Sequence, residues 1–472
     1  MPASIADAPA DRRRLVWRRW RAGLRLIAIA SCAGLSACAS YRPLPLRESP
    51  TAQQLGDVQV SEASMPVPAL ATHRFDPSDG LDVTEVAMLA VANNPDLRVL
   101  RGDLDIAQAQ AFAAGLLPDP QLNAEKDRPT SQQPDLTSAF NLGLTYDLGN
   151  LLTRSARVGA ARDSARAVHL SLLWSEWQTI ARARQLFGKI GTLRAQVARL
   201  REEQAALAPL QPFIERALAA GDLTYDSASS GLRAATDVAT KLADGERLLN
   251  QAEHDLHDLL GLDAKIPLHL VGAAYAVDRD THDVTAALAE LPDRRPDLRA
   301  LEAGYAAQDG KLRAAILAQF PAITVGFVRA RDTSNIYTSG LSVALALPLF
   351  DRNRGNIAIE TATRQRLHDE YAARLLTSRS DVDRLLHDLR SYRGEHALLA
   401  HNADELAQAR TTAERSYSAG LIDWPTYLAI RASALAADSD LATLEQNTHE
   451  QAIALDTLAG GDWPTSTESS RP

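Results

Sequence analysis

The sequence predicts a mainly α-helical chain with a small β part, built as two copies of one unit. The strongest of three observations is a repeat, because Asn94–Arg98 returns as Arg295–Arg299 about 200 residues later. The other two are apolar residues at coiled-coil spacing along extended stretches, and short segments in which apolar residues alternate with small or polar ones. A period this long indicates a duplicated half-protein rather than a solenoid.

The composition favours long, closely packed helices. Hydrophobic residues make up 46% of the 472 residues but aromatic residues only 5%, so alanine and leucine supply most of the apolar surface. The net charge is −9. Residues 1–37 contribute seven arginines and two aspartates, or +5, which leaves −9 − 5 = −14 for the remainder. No basic patch remains there, and this argues against nucleic-acid binding.

Residues 1–37 are predicted to be a lipoprotein signal peptide. An arginine-rich start precedes the apolar run Leu26–Ala33, which is far shorter than the roughly 20 residues that a membrane-spanning helix needs. The sequence Leu35–Cys38 resembles a bacterial lipobox, which predicts cleavage before Cys38 and acylation of that residue. Ala39, not aspartate, follows, and in lipoproteins this implies sorting to the outer membrane. The alternative is an ordinary signal peptide with an incidental cysteine.

The same order of elements is predicted twice. Residues 38–81 have no periodicity and are typical of an extended linker. The two repeats lie at 82–262 and 284–459, each with a helix before a strand pair and a long helical hairpin after it. The remaining predicted bounds are strands at about 121–148 and 322–349, hairpins at about 151–261 and 356–458, an inter-repeat equatorial segment at 263–283, and a disordered tail at 460–472.

Heptad-like spacing predicts that the hairpins are antiparallel coiled coils. Apolar residues recur at alternating steps of four and three in Leu186–Leu207, where Gln204 is one member of the series. The same alternation occurs in Leu375–Leu406 and, on the returning helix, in Ile430–Leu444. Helices of about 65 to 70 residues would be roughly 100 Å long. No compact domain needs that reach.

Each strand segment carries an apolar face and a small or polar face. The apolar positions of residues 138–148 and 340–349 are Phe140, Leu142, Leu144, Tyr146 and Leu148, and Leu341, Val343, Leu345, Leu347 and Leu349. Strands of about ten residues with this alternation suit a transmembrane β-barrel. A half-buried soluble sheet shows the same alternation.

The number of strands favours a transmembrane β-barrel over a half-buried soluble sheet. Four strands cannot close a barrel, because about eight is the smallest number that does. Open edges cannot face lipid, because each unpaired backbone group there costs several kcal/mol. We therefore expect the barrel to be shared between copies of the chain.

The chain resembles the TolC-type outer-membrane factors, the exit ducts of tripartite efflux pumps. The resemblance covers nearly all of the chain after the signal peptide. It is carried by the two copies of the repeat motif, by Leu347–Asn356, and by the turns Gly221–Thr224 and Gly420–Asp423. It implies a homotrimer with a barrel of twelve transmembrane strands over an α-helical tunnel. It also implies a periplasmic adaptor protein and an inner-membrane transporter of the resistance-nodulation-division type as partners.

The resemblance also implies roles for the turns at the far ends of the hairpins. In the family these turns form the periplasmic tip that meets the adaptor; here they are Gly221, Asp222, Leu223 and Thr224, and Gly420, Leu421, Ile422 and Asp423. Acidic rings constrict the aperture in some relatives, which makes Asp226 and Asp423 aperture candidates. The alternative is that these are only turn residues. Leu347–Asn356 looks most like the CzcC-like heavy-metal branch, and the cargo stays open between metal cations and organic compounds.

No catalytic or metal centre is predicted. His254 and His257 have a spacing that could hold a metal, but no carboxylate–histidine cluster accompanies them. His449-Glu450 begins a zincin-like pattern without its second histidine, and no nucleophile elbow, P-loop or CxxC motif occurs. We therefore expect no enzyme and no cofactor beyond the lipid on Cys38. Two functions remain: an export duct, or a non-conducting lipid-anchored periplasmic spacer.

Overall fold

The computed structural model describes residues 41–46, 54–130, 135–222, 224–274 and 281–460. Three sets of predictions lie outside these residues: the signal peptide with Cys38, the tip residue Leu223, and the tail from residue 461 onward. The chain divides into two units, residues 1–50 and 51–472. The described part of the first unit, residues 41–46, is exposed and has no regular secondary structure.

The second unit is mostly helical. Its helices are α1 (Pro68–Ala71), α2 (Val83–Asn93), α3 (Pro95–Gly115), α4 (Gly149–Leu207), α5 (Leu210–Ala220), α6 (Tyr225–Leu260), α7 (Thr281–Arg294), α8 (Pro296–Leu317), α9 (Arg354–Ser418) and α10 (Trp424–Ala459). Its strands are β1 (Gln121–Asp127), β2 (Ala139–Asp147), β3 (Ala322–Arg331) and β4 (Tyr337–Ala346). None of the helices in the described ranges combines the length and apolar character that a membrane span requires.

The internal repeat is visible in the order of elements. In each half a helix of about 20 residues leads into two strands, and a long helix then returns through a second long helix. The first long helix, α4, stops at Leu207, and α5 starts after Pro209. Its counterpart α9 has no proline and continues for 65 residues. The interruption follows from Pro209, since proline lacks the N–H that a continuous helix would use.

The repeated motif begins a helix in both halves but by different contacts. Asn94 caps α3, because its side-chain oxygen accepts a hydrogen bond from the Leu97 N–H at 2.9 Å. Arg295 occupies the equivalent position and has no such oxygen. Its guanidinium instead donates to both carboxylate oxygens of Asp297, at 3.0 and 2.8 Å, and lies 4.8 Å from the centre of the Trp174 ring.

The largest core cluster surrounds the buried Trp177 of α4 and corrects one prediction. Residues 38–81 were expected to form an extended linker, but from residue 54 onward the segment folds onto this cluster. Met65, Val67 and Leu70 are buried there, and Leu81 forms a parallel bridge with Leu270. The apolar residues of this segment are isolated among prolines and show no periodicity, so the sequence does not predict that they pack. Their packing depends on residues that are distant in sequence, such as Leu270, which pairs with Leu81.

The four strands form one antiparallel sheet in the order β1-β2-β3-β4. Cross-strand partners place Leu122, Leu144, Phe327 and Leu341 in one row across the sheet, and all four side chains are exposed. The next row, on the opposite face, is Asn123, Gly143, Val328 and Gly340. The outer edges of β1 and β4 pair with no described strand.

Candidate functional site

The two predicted turns have the same backbone geometry. Gly221 and Gly420 have φ values of +78° and +71°, in the left-handed region that glycine adopts without a steric cost. In the first turn the Asp222 N–H donates to the Ala217 carbonyl at 2.9 Å, and in the second the Leu421 N–H donates to Ser416 at 2.8 Å. Both are bonds that reach back five residues, as in the Schellman motif. Each hairpin therefore ends in a tight, defined reversal.

The acidic tip residues have different surroundings. Asp423 caps α10, because its carboxylate accepts a hydrogen bond from the Thr426 N–H at 3.0 Å. Hydrogen bonds from Thr426 hold the pKa of Asp423 below its ordinary value, so this residue stays ionised at neutral pH. Thr224 accepts a backbone bond from Ala228 at 2.9 Å. The other aperture candidate, Asp226, lies in α6, but its side chain is outside the described part of the structure.

The structure brings both hairpin ends into one hydrophobic cluster. We call this the tip cluster; its buried members are Leu207, Ile214, Ala228, Val238, Ala413, Trp424, Tyr427 and Leu428. Ile422 of the second turn is partly buried against it, while Leu421 beside it is 76% exposed. The first and second repeats thus meet at their far ends, and Leu421 is an apolar side chain that faces outward there.

A buried ion pair next to the tip cluster was missed at the sequence level. Arg431 of α10 binds Glu203 of α4 through two hydrogen bonds and donates a third, 2.6 Å long, to the Tyr427 hydroxyl. The heptad series had placed Gln204 on the seam, but Gln204 is exposed and Glu203 is buried. Charged residues are not expected on a coiled-coil seam. The burial of Glu203 instead of Gln204 is explained by the position of Arg431, which lies opposite Glu203 in the folded structure.

A groove of about 580 Å³ runs between α6 and α10 next to this ion pair. Its lining includes charged side chains of both signs, among them Arg233, Asp237 and Lys241 of α6. A mixed charged lining of this kind suits contact with a polar protein surface better than enclosure of an apolar ligand.

The segment Leu347–Asn356 joins the sheet to α9. Arg352 and Asn353 both have positive φ values, of +49° and +55°, which turn the chain sharply before the helix starts. The Asn353 side chain donates to the Ala315 carbonyl of α8 at 2.7 Å and holds this turn against the preceding helix. The contacts of Asn353 are therefore structural.

The histidines singled out in the sequence have structural surroundings. Both ring nitrogens of His257 lie within 2.7 Å of backbone carbonyls, those of Glu253 and Ile266, whereas His254 is exposed. Burial against Gly188 lowers the pKa of His449. Within the described ranges, no group of three or more histidine, cysteine, aspartate or glutamate residues is arranged to hold a metal ion.

Comparison with known proteins agrees with this architecture. The family model "Outer membrane efflux protein" matches residues 287–461, from α7 to the end of α10. The pyoverdine export outer membrane protein OpmQ of Pseudomonas putida is 27% identical over 418 residues, which are 81% of this chain and 86% of OpmQ. The probable outer membrane lipoprotein SilC of Salmonella typhimurium is 23% identical and covers 93% of this chain and 99% of SilC.

Two further comparisons extend the picture. The cobalt-zinc-cadmium resistance protein CzcC of Cupriavidus metallidurans is 23% identical over 60% of this chain and 67% of CzcC. The solved Campylobacter jejuni CmeC outer membrane channel superposes with a TM-score of 0.70 at 14% identity, covering 92% of this chain and 97% of CmeC. Residues 287–461 thus match the outer membrane efflux protein family, and over nearly its whole length the chain is similar to outer-membrane efflux channels, which are not enzymes.

Proposed function

We propose that three copies of this chain assemble into a passive exit duct from the periplasm to the exterior. Each copy contributes four strands to a barrel of twelve, and its helical hairpins to a tunnel that crosses the periplasm. The duct consumes no energy. A resistance-nodulation-division transporter in the inner membrane drives export, and a periplasmic adaptor protein connects the two.

The four-stranded sheet carries this proposal. Its apolar face is exposed, with Leu341 at 88% and Val343 at 71%, and neither outer edge has a partner among the described strands. Exposed apolar rows on this scale would aggregate in water but are stable against lipid tails. Pairing of β4 with β1 of the next copy would satisfy the edge groups that lipid cannot. A spacer protein has no use for such a face.

The experiment is to purify the protein from outer membranes in mild detergent and to measure its mass and its conductance in a planar bilayer. We expect a complex of three copies that conducts ions, and a strain without the gene that fails to export although the transporter is still present. A stable single copy without conductance would refute the duct and favour the spacer.

The cargo we propose is small toxic solutes, metal cations among them. This rests on the relatives, whose names refer to pyoverdine export in one case and to cobalt-zinc-cadmium resistance in another. Sensitivity of a deletion strain to zinc, cobalt, cadmium and silver salts, compared with organic inhibitors, tests the choice. Normal metal tolerance with increased sensitivity to organic compounds would remove metals from the cargo.

Cys38 is the proposed lipid attachment site, which would anchor the chain to the outer membrane before and after assembly. The support is the lipobox-like sequence before it. A mass increase of the mature protein that disappears in Cys38→Ala tests this, because alanine has no thiol to acylate. An unmodified cysteine in the mature protein would reject it.

The turns Gly221–Thr224 and Gly420–Asp423 are the proposed adaptor contacts. Leu421 supports this, since a 76% exposed leucine at the end of a hairpin is suited to a partner surface. We expect Leu421→Asp to reduce co-purification of the adaptor by at least about tenfold, as the loss of one buried apolar anchor would. Leu398→Asp is the matched control, because Leu398 is 60% exposed on α9 but lies away from the turn. Equal losses in both variants would contradict a specific tip contact.

A further inference from the structure

The turn end of the sheet carries a row of cationic and aromatic side chains on the apolar face. Cross-strand pairing places Lys126, Phe140, Arg331 and Tyr337 side by side across all four strands. The next row on this face, two residues toward the helices, contains Ala124, Leu142, Arg329 and Ser339. Three cations therefore lie on the face that is otherwise apolar, and all three are near one end of it.

Arg331 is held in place by aromatic rings. Its guanidinium carbon lies 5.5 Å from the centre of the Phe140 ring and 5.8 Å from that of Tyr337, and one nitrogen donates to the Ser138 carbonyl at 2.6 Å. Its Nε is buried and has no hydrogen-bond partner in the described structure. The buried Nε is not accessible to a ligand, but each terminal nitrogen of the guanidinium carries two N–H groups, so donors remain there for a further acceptor. The fixed side chain loses little entropy on binding it.

Arg329 is exposed. It lies six positions beyond Ile323, or about 20 Å along the strand. With a tilt of about 40°, this is roughly 15 Å of height within an apolar band about 25 Å tall. The band extends below Ile323 through exposed Leu347 and Leu349. Arg329 therefore lies at the upper boundary of the band, where lipid headgroups meet the acyl chains.

We propose that Arg329, Arg331 and Lys126 form a binding site for the phosphate groups of lipids in the outer leaflet. The inference rests on the proposed transmembrane barrel, which sets the orientation of the sheet. Cations on a lipid-facing surface are costly unless an anion meets them, and lipid phosphates are the anions at this depth. The aromatic rings of Phe140 and Tyr337 support the acyl-chain side of the same lipid, as interfacial aromatics do.

The test uses the purified assembly in nanodiscs of phosphatidylglycerol mixed with an uncharged, phosphate-free galactolipid. Native mass spectrometry counts the lipids of each kind that stay bound. We expect the wild-type protein to retain phosphatidylglycerol preferentially, and Arg329→Gln to lower this preference about fivefold per removed cation. Arg329→Lys keeps the charge and should retain most of the preference. Arg128→Gln is the control, since Arg128 is exposed beyond the end of β1 and outside the two rows.

Three outcomes would overturn the proposal. The first is equal retention of both lipids by the wild-type protein, and the second is an unchanged preference in Arg329→Gln. Displacement of the bound lipid by excess inorganic phosphate would also contradict it, because a site for free phosphate needs no acyl chain. All variants should keep the three-copy mass and the conductance. A wild-type protein without the three-copy mass and the conductance would instead refute the proposed duct. Failure of the lipid site and failure of the duct are therefore distinguishable.

Discussion

Arg431 and Glu203 connect the two halves of the duplicated chain. Their side chains lie 228 positions apart in sequence, yet Nε and Nη2 of Arg431 donate to the two carboxylate oxygens of Glu203 at 2.8 and 2.7 Å. Both side chains are 8% exposed. The Arg431 guanidinium also lies 3.6 Å from the Glu414 carboxylate of α9. The pair thus ties α4 of the first repeat to α9 and α10 of the second, just above the tip cluster.

Removing one partner of this pair should loosen the tip. Glu203→Gln leaves a buried guanidinium without its carboxylate, which costs about 3–5 kcal/mol when no substitute is near. Glu414 is close enough to take over part of the interaction, so we expect about 2 kcal/mol. Hydrogen exchange of the amides near Glu203 and Arg431 should accelerate accordingly. Arg201→Gln is the control, because the Arg201–Glu246 pair is exposed and worth about 0–1 kcal/mol. Similar acceleration in both variants would show that burial is not the cause.

Gly231 should not tolerate a side chain, although it lies in a helix. A Cβ at this position would collide with the Trp424 ring and with Ile214. The collision should cost about 1–3 kcal/mol, more than the roughly 1 kcal/mol that alanine adds in helix propensity. Gly231→Ala should therefore lower the thermal stability of the tip.

Gly191 of α4 supplies the matched comparison for this prediction. No atom lies within 4 Å of a Cβ built there, so Gly191→Ala should raise stability by up to about 1 kcal/mol. Thermal unfolding of the two variants measures the loss of stability expected for Gly231→Ala and the gain expected for Gly191→Ala. If Gly231→Ala were as stable as Gly191→Ala, the Trp424 contact would not be tight.

The packing around His449 should weaken in acid. Burial lowers the pKa of His449 below its ordinary value of 6.5, although Glu450 opposes this shift. The unfolded chain therefore binds more protons than the folded one near pH 6.5, and stability falls as the pH drops through that value. After correction for the intrinsic exchange rate at each pH, the protection of the amides around Gly188 and His449 should be lower at about pH 5.5 than at about pH 7.5.

His449→Gln should remove this pH dependence, because glutamine does not titrate. His254→Gln is the control, since His254 is exposed on α6, and it should keep the wild-type response. A pH response that persists unchanged in His449→Gln would assign the effect to another group.

Adjacent residues on β4 should respond oppositely to a charge. Leu341 lies on the apolar face and Ser342 on the other. A lysine on the lipid side costs about 2–4 kcal/mol at the middle of the bilayer and less toward its boundaries, so Leu341, one row below Arg329, should carry part of this cost. Leu341→Lys should therefore reduce the amount of assembled protein in outer membranes, whereas Ser342→Lys should insert normally and change the conductance. Quantitative blotting of membrane fractions measures this. Normal insertion of both variants would mean that this face does not contact lipid.

Several features could be derived from the sequence because they depend on local periodicity. Apolar residues at alternating steps of four and three predicted the long helices, and α4 and α9 have 59 and 65 residues. Strict alternation predicted strands with two unlike faces, and Leu341 and Ser342 lie on opposite sides of the sheet. Glycine at the hairpin ends predicted tight reversals, which Gly221 and Gly420 make with positive φ.

Contacts between the two halves could not be derived in this way. No periodicity relates Glu203 to Arg431, and the seam was assigned to Gln204 because an apolar pattern gives no reason to bury a carboxylate. The folding of residues 54–81 onto Trp177 was missed for the same reason. The sequence by itself determined the elements, their order and their faces, since these follow from the nearest residues along the chain. Only the tertiary structure decided which elements meet and which charges are buried, because those choices depend on groups that are close in space and distant in sequence.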